Sequence, residues 1–287
     1  MRKEILRSLE ENGSLPPLPK VLLELQKMVQ DPDCNADDIY RLIQADPVLT
    51  GRLITLSNTV FFGGGREKID TLQNAIVRLG VKMAIDLCYC VEAPKAFGKT
   101  KSFNQAHFWK HSLAVAHLSR ILANILIDDP DILEASFLSG LMHDIGILVF
   151  DYLNPGDYGE FLIAKDISDS DLTMEVLERS VFGIDHQELG MVFVRKWWKL
   201  PENVLDAIAD HHDEYIDDGR SVTLAQIINA ANDLANKYQI SHPIMCHHKE
   251  SSGESLTKKA GITGQELDEF IDQAKTGLTV FDNIFDD

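Results

Sequence analysis

From Gln105 to His143 the chain carries two successive apolar runs at helical spacing, Leu113, Val115, Leu118, Ile121, Leu122 and Ile125, then Ile132, Leu133, Ala135, Phe137, Leu138 and Leu141. Asp128-Asp129-Pro130 divides them, because an aspartate before a proline supplies a cap and a first helical residue. The same period recurs along the chain, and nothing alternates with period two over a useful length. The expected fold is therefore all-α, a multi-helix bundle.

Punctuation divides the first hundred residues into short helices. Ile5, Leu6 and Leu9 have helical spacing up to Gly13, and Leu15-Pro16-Pro17-Leu18-Pro19 reads as a stiff extended connector. Val21, Leu22, Leu25, Met28 and Val29 mark a second helix, ended by Asp31-Pro32. Asn35 caps a third, with Asp38 in its first turn, and Asp46-Pro47 opens a fourth whose inner face is expected at Val48, Leu49, Leu53 and Leu56. After Gly63-Gly64-Gly65, Asp70 is expected to cap a helix to Leu79, Gly80 interrupts, and another helix runs to about Val91. These form an expected N-terminal helical subdomain over residues 1–100, with the boundary in residues 93–104 around Pro94 and Gly98.

A second subdomain is expected over residues 101–240. Helices are predicted around 159–165 and 172–180, and Asp185 with Glu188 has the pattern of a capping box opening a helix that reaches Trp198. Pro201 opens the next, which would deliver His211-His212 at its C-terminal end. A long helix over residues 222–238 turns Leu224, Ile227, Ile228, Ala231 and Leu234 inward, with Asp233 beside that stripe. Residues 242–264 read as polar loop, in which His247-His248 has no fixed geometry for a metal, and residues 265–276 as a last amphipathic helix within a C-terminal part, 241–287.

Charge limits the partners. With 45 acidic against 27 basic residues the net charge is −18, and no basic patch offsets it, which speaks against DNA or RNA as a ligand. A helix-turn-helix over residues 36–58 would offer only Arg52 to phosphates in its second helix. Cys34, Cys88, Cys90 and Cys246 lack paired metal-site spacing, and neither a secretory signal nor a membrane-length apolar run is evident. The expectation is a cytoplasmic protein with reduced thiols that does not engage a membrane.

Chemistry concentrates at Ser139-Gly140-Leu141-Met142-His143-Asp144-Ile145-Gly146, where an imidazole and a carboxylate from adjacent positions can face one divalent ion. His107 and His111, four residues apart, precede the pair, and His186, His211, His212 and Asp233 follow it. Metal sites in bundles are built from inward side chains on different helices. From the residues alone, such a site and a set of scattered core and surface histidines stand as equal alternatives.

The order His111, His143-Asp144, Asp233 resembles the H…HD…D pattern of the HD superfamily of metal-dependent phosphohydrolases, and the whole chain resembles the HDOD domain, a signalling output relative of it. The matching stretches include Leu15-Pro16-Pro17-Leu18-Pro19, Ala45-Asp46-Pro47-Val48-Leu49, Leu56-Ser57-Asn58, Asp185-His186-Gln187-Glu188-Leu189-Gly190 and Trp198-Lys199-Leu200-Pro201. The resemblance implies that His111, His143, Asp144 and Asp233 ligate one divalent metal (Fe, Mn, Zn or Ni), with Asp144 able to bridge to a second. His186, His211 and His212 match the added histidines of the HD-GYP relatives, which hydrolyse cyclic di-GMP, and would hold that second ion.

Two ions roughly 3.5–4 Å apart could activate water and steady phosphoryl charge, giving His143 and Asp144 catalytic roles. The resemblance thus implies a signal-transduction output protein with a protein partner and a nucleotide ligand. Its alternative is an active phosphohydrolase on a nucleotide or cyclic dinucleotide. Ile147 stands where those relatives have a lysine, no GYP motif follows His212, and His107 stands where they have a glutamate. Because helix N-termini disfavour cations, the ion beside His186 is expected to be the weaker of two.

Overall fold

The computed structural model describes residues 1–11, 15–63, 67–164, 172–217, 219–240 and 252–281, and every regular element among them is helical. Gly13, Gly64-Gly65, Cys246, His247-His248 and the acidic C-terminal end lie outside the described residues. The chain forms two compact units that are not consecutive in sequence. One comprises Met1–Pro16 with Lys99–Ile271, the other Pro17–Gly98 with Asp272–Asp287.

In the smaller unit, helices Lys20–Gln30, Ala36–Gln44, Pro47–Ser57, Leu72–Leu79 and Val81–Phe97 pack on one another. Asn35 and Asp38 complete a capping box, and the Asp46 carboxylate accepts the amides of Val48 and Leu49 at 2.8 and 3.0 Å. Two details differ from expectation. Thr71, not Asp70, caps Leu72–Leu79, and Val48 is 58% exposed while Leu49, Leu53 and Leu56 are buried. Val48 is the second residue of its helix, in the first turn. Gly80, at φ +79°, separates two helices that an L side chain would strain. The helix after it runs beyond Val91 and through Pro94 to Phe97.

In the larger unit, Gln105–Leu126 and Pro130–Met142, capped by Asn104 and Asp129, lie close enough at Gly140 that a β-carbon there would stand 2.7 Å from the Ala116 Cα. Ile125, at the end of the first helix, is exposed. Together with Ile145–Leu153, the second of these helices makes a 24-residue apolar stretch, Pro130–Leu153, which does reach membrane-spanning length. That corrects the sequence reading, but most of the stretch is buried within the protein, and it breaks at His143-Asp144.

Leu224–Lys237 packs on both Gln105–Leu126 and a further helix, Ser252–Lys259, which lies in the segment expected to be loop. SGESLTKK has little apolar pattern of its own. Its opening amides, from Ser252 and Gly253, donate to the Asp233 carboxylate at 3.1 and 3.3 Å, so a distant residue supplies the cap. Asp185 caps His186–Phe193 by accepting the Glu188 amide, but the box is half made, because the Glu188 carboxylate pairs with Arg2.

Candidate metal centre

Five buried side chains meet where helices start and stop. His111 sits within Gln105–Leu126, His143 closes Pro130–Met142, and Asp144 stands between that helix and Ile145–Leu153. His186 is the first residue of His186–Phe193. Helix Glu202–Ala209 ends before His211, so both later histidines lie in the turn beyond it. On a helix their side chains would diverge by about 100°; in the turn their ring centroids stand 4.2 Å apart.

Backbone contact brings the halves together. A β-carbon on Gly146 would stand 2.7 Å from the His186 carbonyl carbon and 2.9 Å from the Gly190 nitrogen. No other residue allows Ile145–Leu153 to cross His186–Phe193 this closely, and the crossing carries Asp144 to His186.

Asp144 is the hub. Its Oδ2 lies 3.0 Å from His143 Nε2 and 3.9 Å from His111 Nε2. Its Oδ1 lies 3.3 Å from His211 Nε2 and 3.6 Å from His186 Nε2. His186 Nε2 is in turn 2.9 Å from His212 Nε2 and 3.3 Å from His211 Nε2. Two clusters result, each with candidate ligand atoms within 4.8 Å of one another: His111, His143 and Asp144, and His186, His211 and His212. All but His212 are buried, and His212 keeps 12% of its side chain exposed.

The other ring nitrogen fixes each tautomer. Nδ1 of His111, His143 and His211 lies 2.8 Å from the carbonyl oxygens of Ile240, Gly140 and Ile208. A carbonyl oxygen only accepts, so Nδ1 carries the proton and Nε2 presents a lone pair. His186 differs in giving its Nδ1 proton to a carboxylate, Glu178 Oε2, at 2.6 Å.

These donors suit a metal ion. His143 Nε2 and Asp144 Oδ1 are buried without a hydrogen-bond partner, and a lone pair on His143 faces a carboxylate oxygen at 3.0 Å. Two acceptors at that distance repel unless a cation lies with them. Burial would push the Asp144 carboxyl up; positive charge on the facing rings, His143 first, then His211 and His186, would hold it well below the usual carboxylate range, and with those nitrogens unprotonated a metal ion would take that part. Burial would lower His186, yet Glu178, Asp144 and Asp185 raise it to about 9. His211 falls to about 4, mainly through burial and despite the Asp144 carboxylate beside it.

Two candidates lie outside these two clusters. Asp233 is buried but belongs to neither cluster, its Oδ2 being engaged by the Ser252 and Gly253 amides. His107 is exposed in the first turn of its helix. Conversely, two glutamates on Met174–Phe182 escaped the sequence reading. Glu178 is fully buried and takes the Tyr158 hydroxyl proton at 2.8 Å, while Glu175 Oε2 lies 3.9 Å from His212 Nε2. The available signal was Phe182, a large apolar residue four positions after Glu178 and so on the same helix face.

Residues 15–214 match the HDOD domain. An uncharacterised protein of Treponema pallidum (strain Nichols) is 28% identical over 200 residues, 69% of this chain; the chain spans 37% of that relative's length. A candidate phosphohydrolase of Shewanella amazonensis SB2B has a similar crystal structure, with TM-score 0.74, 23% identity, and coverage of 98% of this chain and 97% of that one. An HDOD domain protein of Geobacter sulfurreducens superimposes with TM-score 0.72 at 20% identity, covering 98% and 97%. Those identities speak for the fold.

Proposed function

The chain belongs to the HDOD domain family, and from that premise we propose that it is a signal-transduction output protein whose larger unit holds divalent metal around Asp144. The observation that carries the reading is the Asp144 carboxylate, with one oxygen toward His111 and His143 and the other toward His186 and His211. His111, His143 and Asp144 would hold one ion, and His186, His211 and His212, with the shared Asp144, another. Asp233, whose Oδ2 caps Ser252–Lys259, would complete the first set with its other oxygen, as the H…HD…D order implies. The reading includes a cytoplasmic site of action, a protein partner and a nucleotide ligand, with neither DNA nor membrane as a target.

A second reading, a metal-dependent phosphohydrolase acting on a nucleotide or cyclic dinucleotide, is favoured by the same shared carboxylate. A divalent metal there would supply Lewis acidity toward a phosphoryl oxygen. The chain's own contributions are modest. Nδ1 hydrogen bonds orient four rings, burial keeps bulk water from five of the six groups, and His212 with Glu175 forms the exposed edge. Ile147 is buried and brings no cation. This weighs toward a metal-holding output module.

Elemental analysis of protein purified without chelator or nickel resin tests the first reading: bound divalent metal is expected, and Asp144→Ala should abolish it. Absence of metal from the folded parent protein under every loading condition would overturn it. Release of product from nucleotide and cyclic dinucleotide phosphoesters by the metal-loaded protein, absent in Asp144→Ala, would establish the second.

A further inference from the structure

We infer that the His186–His211–His212 cluster is the tighter half of the centre, filling first and emptying last, and that Glu178 is the positioning residue responsible. The inference rests on the metal-centre reading above. It reverses the order that the helix dipole alone suggests.

A cation beside the first residue of a helix ordinarily meets unpaired amide protons. Here the His186 amide donates to Glu178 Oε2 at 2.8 Å, and the same oxygen takes the His186 Nδ1 proton at 2.6 Å. A carboxylate thus sits on the positive end of the helix and behind the imidazole at once. Tyr158 holds its other oxygen at 2.8 Å, which fixes the carboxylate in place. Among the described residues the ion pair that Glu178 makes is with His186, toward which its charge is expressed. The rings of His111, His143 and His211 lean on neutral carbonyls instead. A carboxylate behind a ligand imidazole raises its basicity and holds its orientation, and losing such a partner typically weakens metal binding about 10–100-fold.

Chelator-stripped full-length protein, loaded stepwise with Co2+ and followed by visible absorption and metal analysis, tests this. Wild-type protein is expected to bind in two steps. Glu178→Gln should weaken the first step about 10–100-fold and leave the second in place; Tyr158→Phe should weaken the first step less. His143→Ala should keep the first step, and His211→Ala should lose it. Histidine nitrogen NMR of the stripped protein reads the positioning role directly, since the His186 signals should shift in Glu178→Gln while those of His111 and His143 hold. If Glu178→Gln fails to fold by circular dichroism, the order of loss in His143→Ala and His211→Ala decides. Loss of the first step in His143→Ala with retention in His211→Ala overturns the inference, as does a folded Glu178→Gln that binds like wild type. A wild-type protein that takes up no Co2+ overturns the metal-centre reading and this inference with it, whereas Co2+ uptake untouched by Glu178 overturns this inference alone.

Discussion

Gly146 and His186 touch backbone to backbone: the His186 carbonyl carbon stands 2.7 Å from where a Gly146 side chain would begin. The glycine after His143-Asp144-Ile145 is therefore a matter of distance between helices, and through it of distance between ligands. Gly146→Ala should force Ile145–Leu153 off His186–Phe193, destabilising the fold by roughly 1–3 kcal/mol or more. Urea unfolding with parallel metal analysis checks this; stability and metal content should fall together, and a variant as stable and metal-rich as wild type would contradict the contact.

Removing metal should be felt by the whole larger unit. An ion held at 100 times its Kd adds about 2.7 kcal/mol to stability, and for a chain of this size each kcal/mol moves Tm by about 2–4 °C. Chelator should lower Tm on that scale in wild type and leave Asp144→Ala unmoved. A chelator shift that persists in Asp144→Ala would place the metal elsewhere.

Acid should unfold the protein partly through His117. Burial first, and Arg120 second, lower this histidine from 6.5 to about 3. Its folded value lies below its unfolded one, so from pH 6.5 down to about 3 the unfolded chain binds the proton and the folded chain does not. Stability from this residue is intact above pH 6.5 and is lost progressively toward pH 3, by a few kcal/mol in all. Leucine at this position, His117→Leu, should flatten that part of the stability profile measured in urea between pH 4 and 7. An unchanged slope would exclude His117 as the source.

Asp233→Ala should loosen one helix more than the protein. Its carboxylate takes the amides of Ser252 and Gly253, a capping arrangement whose loss typically costs about 0.5–2 kcal/mol. Amide exchange should quicken across Ser252–Lys259 while Gln105–Leu126 keeps its protection. Uniform acceleration would mean that Asp233 supports the unit at large.

What could be read in advance was local. Asn35, Asp46-Pro47 and Asp129-Pro130 punctuate helices through contacts within a few residues, so their signals survive without a fold, and the all-α expectation holds throughout the described residues. Histidines and an aspartate were likewise visible by type and order. Ser252–Lys259 was not, because its cap comes from nineteen residues upstream. Glu178 was hidden by an inverted face: on Met174–Phe182 the apolar Val176 and Val181 are exposed while the glutamate is buried. Val176 and Val181 argue for one face and Phe182 for the other, and the tertiary partners Tyr158 and His186 decide between them.

The larger unit begins with residues 1–16 and resumes at Lys99. Its opening segment is tied to partners far downstream, Arg2 to Glu188 and the Pro16 carbonyl to the Trp198 indole at 3.1 Å, across separations of 186 and 182 residues. During synthesis from the N-terminus, those first residues leave the ribosome long before anything exists for them to hold. The smaller unit's helices between Lys20 and Phe97 are made in the interval, whereas the larger unit cannot close until Glu188 and Trp198 have emerged. Contacts of such sequence separation slow folding, and at about 5–20 residues per second the N-terminal helix waits on the order of ten seconds or more for Glu188. In the cell, its apolar Ile5 and Leu9, both buried in the finished protein, are exposed for that time to whatever else is there to bind them.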